Sequence, residues 1–348
     1  EEAYAKQLAA GCMELGKKLT GHILMEESPF GNMIFHANPF RVLKQFHLPG
    51  VDLLTNKLED ISIFGHKLPL SSAYLDHEGW IMTETSDFVE HRLGGQPASP
   101  HQMVAALSYQ FLLGVREFSF YYDFRARRQT DYRWVNQSIQ RTCTYAKGWK
   151  YQPQVALYCP YETFWSGYTP SATAYPDLLN EQPAFVQKAE ASILELCAEL
   201  FHRNIQFILS DHSSIQELMD RGVTKLILPQ APVVAAEVIQ AIKEGKLSVY
   251  GGVPQFVYSE GELLPAPKIK VKPLGLLEER PGFEYDSALR YAAFRGEKYY
   301  VYNPTGQGKQ LTPASERKIY DPLLNQELIA DSQLVIQPGA GLFITPAS

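Results

Sequence analysis

The feature that most constrains this chain is an alternation. Over residues 1–125 an amphipathic helical pattern is followed by a short apolar run four times, and each run ends in polar residues. Glu2–Lys17 sets Ala5, Leu8, Ala9, Cys12 and Leu15 at helical spacing, and the run Leu19–Met25 follows, ending at Glu26-Glu27. Pro39–Phe46 reads as helix and Gly50–Leu54 as strand, ending at Thr55-Asn56. Pro69–His77 reads as helix and Gly79–Thr83 as strand, ending at Glu84-Thr85-Ser86-Asp87. Ser99–Leu113 reads as helix, opened by Ser99-Pro100 and closed by Gly114, and its strand Glu117–Tyr122 ends at Asp123. Helices alternating with strands build a parallel sheet, and such sheets carry their chemistry at the carboxyl ends of the strands. Four such units make half of an eight-stranded barrel. Residues 1–125 are therefore expected to supply strands five to eight of a (β/α)8 barrel, with the first half upstream of Glu1.

A basic, polar crossover follows, with Arg125, Arg127 and Arg128 and a helix near Trp134–Tyr145. A second α/β segment then reads as strands at Gln154–Tyr158, Ile205–Leu209, Lys225–Leu228 and Lys246–Tyr250, with helices at Gln182–His202, Ser213–Asp220 and Pro232–Glu244. This is the order of an open, flavodoxin-like sheet. The loop Pro160–Pro176 is long and aromatic, with Tyr161, Phe164, Trp165 and Tyr168, which suits a functional or interface element. Pro265–Leu276 reads as a linker, and short strands split by Asn303-Pro304, Asp321-Pro322 and Pro338-Gly339 then indicate a small β-sandwich. The expected class is α/β: the C-terminal half of a (β/α)8 TIM barrel over 1–135, a flavodoxin-like α/β domain over 150–262, and a C-terminal β-sandwich over 275–348.

The chain has 348 residues and a net charge of −6, from 32 Lys+Arg against 38 Asp+Glu. That balance argues against a nucleic-acid or anionic-membrane partner, which would need clustered Lys and Arg. No run approaches the roughly 18 apolar residues of a membrane span. Cys12, Cys143, Cys159 and Cys197 form no C-x-x-C pair and read as free thiols, and no two histidines sit four apart on one helix, so no metal site is expected. The chain starts at Glu1 with neither Met nor a signal peptide, so no compartment is read from it. The second α/β segment has no glycine-rich phosphate loop after Tyr158, which disfavours a nucleotide or flavin. A scaffold or subunit contact, and with it a homo-oligomer, is its expected role.

Carboxylates dominate the candidate chemistry. Glu84 is delivered by an apolar strand to the sheet's carboxyl edge. Cleavage of a glycosidic bond needs two such groups, one protonating the leaving oxygen and one attacking carbon or activating water. Glu26 and Glu27 point opposite ways if extended, so one of them faces the barrel mouth, as a catalytic group, a hydroxyl ligand or an ion-pair partner. Asp52 sits early in its strand, as a partner carboxylate or a structural hub. Asp123 ends the last strand, beside Arg125, and either binds hydroxyls or pairs with that arginine. His36 lies on a loop past the mouth, facing a sugar or solvent.

The ordered set of motifs resembles multidomain glycoside hydrolases with a (β/α)8 catalytic barrel. Leu70-Ser71-Ser72-Ala73-Tyr74 through Gly79-Trp80-Ile81-Met82-Thr83-Glu84-Thr85 is similar to a region of the α-L-rhamnosidase-like enzymes of glycoside hydrolase family 106. So are Pro49-Gly50-Val51-Asp52, Val155-Ala156-Leu157-Tyr158-Cys159-Pro160, Lys225-Leu226-Ile227-Leu228-Pro229, Tyr299-Tyr300-Val301-Tyr302-Asn303 and Tyr320-Asp321-Pro322. Phe120-Tyr121-Tyr122-Asp123-Phe124-Arg125 and Val155–Trp165 resemble the last barrel strand and the following domain of family 42 β-galactosidases.

The resemblance implies exo-acting hydrolysis of a terminal sugar from an oligosaccharide or glycoside. Glu84 falls on the catalytic glutamate, with Glu27 or Asp52 as its partner or as a substrate ligand. Glu26, His36, Trp80, Tyr122 and Asp123 shape or line the sugar site. The rhamnosidase-like version is inverting, with carboxyls about 6.5–9.5 Å apart, and the β-galactosidase-like version retaining, at about 5–5.5 Å. No organic cofactor is expected, and Ca²⁺ enters by family analogy alone. Two departures stand out. Tyr121-Tyr122-Asp123 replaces the aromatic or His residues usual in the rhamnosidase-like enzymes, and the acid/base of retaining relatives sits on barrel strand four, upstream of Glu1. The competing class is a non-catalytic carbohydrate-binding or scaffold protein built on the aromatic loop and the sandwich.

Overall fold

A computed structural model of the chain describes residues 4–76, 79–122, 129–279 and 281–347. It has a mixed α/β fold with parallel sheets. Two compact units interleave along the sequence: 1–49, 63–77 and 153–279 make the first, and 50–62, 78–152 and 280–348 the second.

The alternation predicted for the N-terminal segment is present. Strands β1 (Thr20–Gly21), β2 (Leu48–Leu53), β3 (Ile81–Thr85) and β4 (Val115–Phe120) are parallel neighbours in chain order. Thr20 and Gly21 pair with Leu48 and Pro49 within the first unit, and from Gly50 onward β2 runs beside β3, and β3 beside β4, within the second. β1 is much shorter than Leu19–Met25. The chain turns over residues 24–27, with Met25 in the left-handed region at φ 59°, so Glu26 and Glu27 sit on a turn rather than at a strand end. β3 begins two residues later than expected, which places Glu84 inside the strand. The helix expected from Pro69 starts at Ile63 and keeps Pro69 in its interior. The helix Pro100–Leu112 opens with a capping box: the Ser99 hydroxyl accepts from the Gln102 N–H and the Gln102 amide oxygen accepts from the Ser99 N–H.

Downstream, the first unit holds β5 (Val155–Tyr158), β6 (Phe207–Ser210), β7 (Lys225–Leu228), β8 (Val233–Ala235), β9 (Ser248–Gly251), β10 (Phe256–Ser259) and β11 (Glu262–Pro265). Four of them form a parallel sheet in the order β6-β5-β7-β9. β5 and β6 are buried at every residue, the signature of a parallel strand covered on both faces. Pro232 does not open a helix. The β-branched Val233 and Val234 extend instead, pair with Phe256 and Val257, and the helix begins at Ala236. The aromatic loop is also partly core: Tyr161–Gly167 is a helix, and Tyr161 and Phe164 are fully buried.

The second unit closes with two antiparallel sheets, one of Phe283–Tyr285, Lys309–Pro313 and Leu334–Ile336, the other of Arg290–Phe294, Lys298–Tyr302, Gly341–Pro346, Arg317–Asp321 and Gln326–Ala330. Both contribute to one core, with Phe283, Leu311 and Ile336 from the first and Tyr291, Val301, Ile319, Leu342 and Ile344 from the second. Phe111, from the helix Pro100–Leu112, meets Tyr300 and Phe343 edge-on, with ring centroids 4.7 and 5.6 Å away. No helix among the described residues is long and apolar enough to cross a membrane.

Candidate active site

Side chains alternate across β3: Ile81, Thr83 and Thr85 are buried, Met82 and Glu84 half-buried. The register places Asp52 beside Glu84 and Glu84 beside Ser119, so these residues form one row across β2, β3 and β4. The row below is Gly50, Met82 and Glu117, and Glu117 and Ser119 are exposed. This side of the sheet thus carries two half-buried carboxylates on adjacent strands. Neighbouring strands lie about 4.8 Å apart, so the Asp52 and Glu84 side chains leave the backbone side by side at roughly that spacing.

Tyr121 extends this face. Its N–H donates to the Thr85 carbonyl at 3.2 Å, which carries the pairing of β4 one residue past its end. Its ring is 42 % exposed. Burial of the hydroxyl, together with the nearby Asp52 and Glu84 carboxylates, holds its pKa above the ordinary value, against the opposing effect of a hydrogen bond with Ser86. Tyr121 therefore keeps its proton and stands beside the carboxylate pair as an O–H donor.

The loops that follow β2, β3 and β4 are tied together. The Asn56 side chain accepts from the Tyr122 hydroxyl at 2.8 Å and donates to the Ser86 carbonyl at 3.4 Å. Glu90 accepts through Oε1 from the Thr55 hydroxyl at 2.7 Å and the Asn56 N–H at 2.8 Å. Asp87, buried, accepts from the Ala98 N–H.

The remaining predicted residues fall elsewhere. Tyr122 does not line an open pocket: it is 2 % exposed, packed among Met103, Val104, Leu107 and Val135. Strand alternation gives the outward position to Tyr121, which the sequence reading passed over although the same period-2 rule points to it. Trp80 precedes β3 at its amino end, four residues or about 13 Å along the strand from Glu84, so it lies away from the carboxyl edge. Asp123 lies outside the described residues. Glu26, Glu27 and His36 belong to the first unit. Glu26 is buried and pairs with His22, Oε1 to Nδ1 at 3.1 Å, while Glu27 is exposed. His36 ends the helix Pro29–His36 instead of lying on a loop. Its Nε2 accepts from the Leu24 N–H at 3.1 Å, and burial lowers its pKa despite the Glu26 carboxylate, so the ring is neutral. Among the described residues no group of three or more His, Cys, Asp or Glu is arranged to hold a metal ion, so no step is assigned to Ca²⁺.

No family model and no curated protein matches the sequence. Solved structures do match in shape. A rhamnosidase from Novosphingobium sp. PP1Y superposes with a TM-score of 0.63 at 12 % identity, over 99 % of this chain and 39 % of its own. A β-galactosidase from Bacillus circulans sp. alkalophilus gives 0.61 at 10 % identity, over 95 % and 63 %. A β-galactosidase from the haloarchaeon Halorubrum lacusprofundi gives 0.59 at 11 %, over 99 % and 66 %. The fold is that of solved glycoside hydrolases. The chain spans about two fifths of the length of that rhamnosidase and under two thirds of that Bacillus enzyme.

Proposed function

We propose that the chain carries part of the catalytic site of a glycoside hydrolase, with Glu84 as a catalytic carboxylate and Asp52 beside it. On this reading β1–β4 are the second half of a (β/α)8 barrel, the β6-β5-β7-β9 sheet is flavodoxin-like, the antiparallel sheets form a C-terminal β-sandwich, and the domains run 1–135, 150–262 and 275–348. The observation that carries the reading is the shared row of Asp52 and Glu84 on adjacent parallel strands, one residue from the carboxyl edge where barrels place their chemistry.

Two carboxyl groups leaving the backbone about 5 Å apart suit a retaining pair better than an inverting pair, which leaves room for a water. One group attacks the anomeric carbon, and the other protonates the departing oxygen and then takes the proton of the incoming water. The Tyr121 hydroxyl donates to the carboxylate or to a sugar hydroxyl in either step. The substrate is a glycoside or oligosaccharide cleaved from its end, with α-L-rhamnosides and β-D-galactosides the leading candidates.

The test is release of p-nitrophenol from a panel of aryl glycosides by the protein as its gene encodes it. One substrate should be cleaved, and Glu84→Gln should lower turnover at least about 100-fold, the lower range for losing a proton-transfer group. Full activity of Glu84→Gln on every cleaved substrate overturns the role of Glu84. Tight glycan binding without turnover favours the non-catalytic alternative.

A further inference from the structure

A second polar site lies in the first unit, at the carboxyl edge of the β6-β5-β7-β9 sheet. There Glu162, four residues past β5, is 1 % exposed, yet it carries two partners. The Tyr158 hydroxyl donates to its Oε2 at 2.8 Å, and His212 Nδ1 lies 2.8 Å from its Oε1. His212, two residues past β6, is partly exposed and opens onto a cavity of about 760 Å³ lined also by Ser213, Gln216, Glu237 and Gln240. A buried carboxylate on one ring nitrogen fixes the orientation of an imidazole and leaves the other nitrogen to face outward as a donor. The Trp165 ring meets the imidazole edge-on at 6.0 Å, and its own N–H is held by the Ala37 carbonyl. An ion pair that served only to pin the loop at 211–214 would not require a cavity above it. That loop already has its own fastening, since buried Asp211 accepts from the Asn38 amide, the Ser213 hydroxyl and the Ser214 N–H.

The charges around the cavity select its ligand. Glu162, Asp211 and Glu237 all act on His212, so the site is net negative even with the imidazolium present, and sulfate or phosphate is disfavoured. Gln216 and Gln240 each give one amide N–H to Asp220 and Glu244, which leaves their second N–H and their amide oxygens beside His212 Nε2–H and the Glu237 carboxylate, the mixture of donors and acceptors that hydroxyl groups match.

We propose that this cavity binds a neutral sugar, a product or an uncleaved part of the glycan, through Nε2 of a His212 oriented by Glu162. The choice of a sugar rests on the glycosidase reading, whereas the site itself rests on the cavity and the buried pair.

The experiment titrates the full protein carrying Glu84→Gln, so that nothing turns over, with L-rhamnose and with D-galactose, and follows the His212 ring by NMR. A saturable shift of the His212 Nε2 resonance is expected with one of the two sugars, with binding about three- to tenfold weaker in Glu162→Gln. His212→Ala, with sugar binding followed by calorimetry in place of the lost ring signal, should weaken binding at least about tenfold and, in the otherwise unaltered protein, leave aryl-glycoside cleavage unchanged. No saturable shift with either sugar overturns the proposal, as does binding indifferent to both substitutions. Stronger binding of glucosamine than of the neutral sugars overturns the ligand class. Because cleavage is read separately, a silent aryl-glycoside assay with a responsive His212 rejects the catalytic reading and keeps the site.

Discussion

Glu190 offers a test of the first unit's energetics. It lies in the helix Ala184–His202, buried, with the Ser28 hydroxyl donating to one carboxyl oxygen and the Phe30 N–H to the other at 2.7 Å. Ser28 in turn caps the helix Pro29–His36, accepting from the Gly31 N–H. Burial raises the pKa from 4.5 to about 7, against those two hydrogen bonds. An acid whose folded pKa is raised stabilises the fold fully at low pH. As pH rises past 4.5 the unfolded chain gives up its proton while the folded chain holds it, and the contribution is lost up to about 7. At about 1.4 kcal/mol per pH unit, the loss between pH 5 and 8 is about 2.5 kcal/mol. Glu190→Gln keeps the shape and cannot ionise. Urea unfolding of both proteins at matched pH from 5 to 8 should therefore show the variant gaining about 2.5 kcal/mol on the wild type, with groups that titrate alike in both proteins cancelling in the difference. A difference that stays flat across that range refutes the assignment.

Three further outcomes follow from the second unit. Asn56→Ala unties Tyr122 from the Ser86 carbonyl and should lower kcat at least about tenfold with a smaller change in KM, because strand ends displaced by a fraction of an ångström misplace Asp52 and Glu84; equal kcat in steady-state assays rejects Asn56 as a positioning residue. Tyr121→Phe should reduce kcat while moving the unfolding midpoint in urea little, since the ring stays in place and only a partly exposed hydroxyl is lost; unaltered kcat would remove the hydroxyl from the mechanism. Ser99→Ala removes one half of a capping box and should cost about 1 kcal/mol in urea unfolding, whereas Ser99→Asp should be close to neutral.

The fold was legible where local chemistry and tertiary packing agree. The Ser99 and Gly114 signals bound a helix that occupies Pro100–Leu112, and the apolar run Lys225–Leu228 is a strand with those same limits. It was less legible where packing overrides a local signal. Pro69 and Pro232 both read as helix starts. The first lies inside a helix whose Ser71 hydroxyl accepts from the Leu209 N–H of β6, and the second precedes an extended pair of valines that finds β10. Sequence position also misled about neighbourhood. The chain passes between its two compact units at positions 49/50, 62/63, 77/78, 152/153 and 279/280, so segments adjacent in sequence serve different cores, which no periodicity records.

The site shows how much turns on two residues of register. With β3 ending at Thr83, Glu84 is a loop residue whose direction is undetermined, and Trp80, inside the strand, is as good a candidate as any. With β3 at Ile81–Thr85, alternation forces Glu84 to the open face, Thr83 and Thr85 to the covered one, and Trp80 out of the strand at its far end. The same alternation in β4 sends Ser119 and Tyr121 to the side of Glu84 and sinks Tyr122 into the core, where its hydroxyl is satisfied by Asn56. Which tyrosine of the Tyr121-Tyr122 pair faces the carboxylates is thus settled by strand pairing, a property of two distant segments. The acidic strand end itself needed only the pattern of one segment. That difference is why the sequence points to Glu84 as the candidate at this edge and does not point to Tyr121.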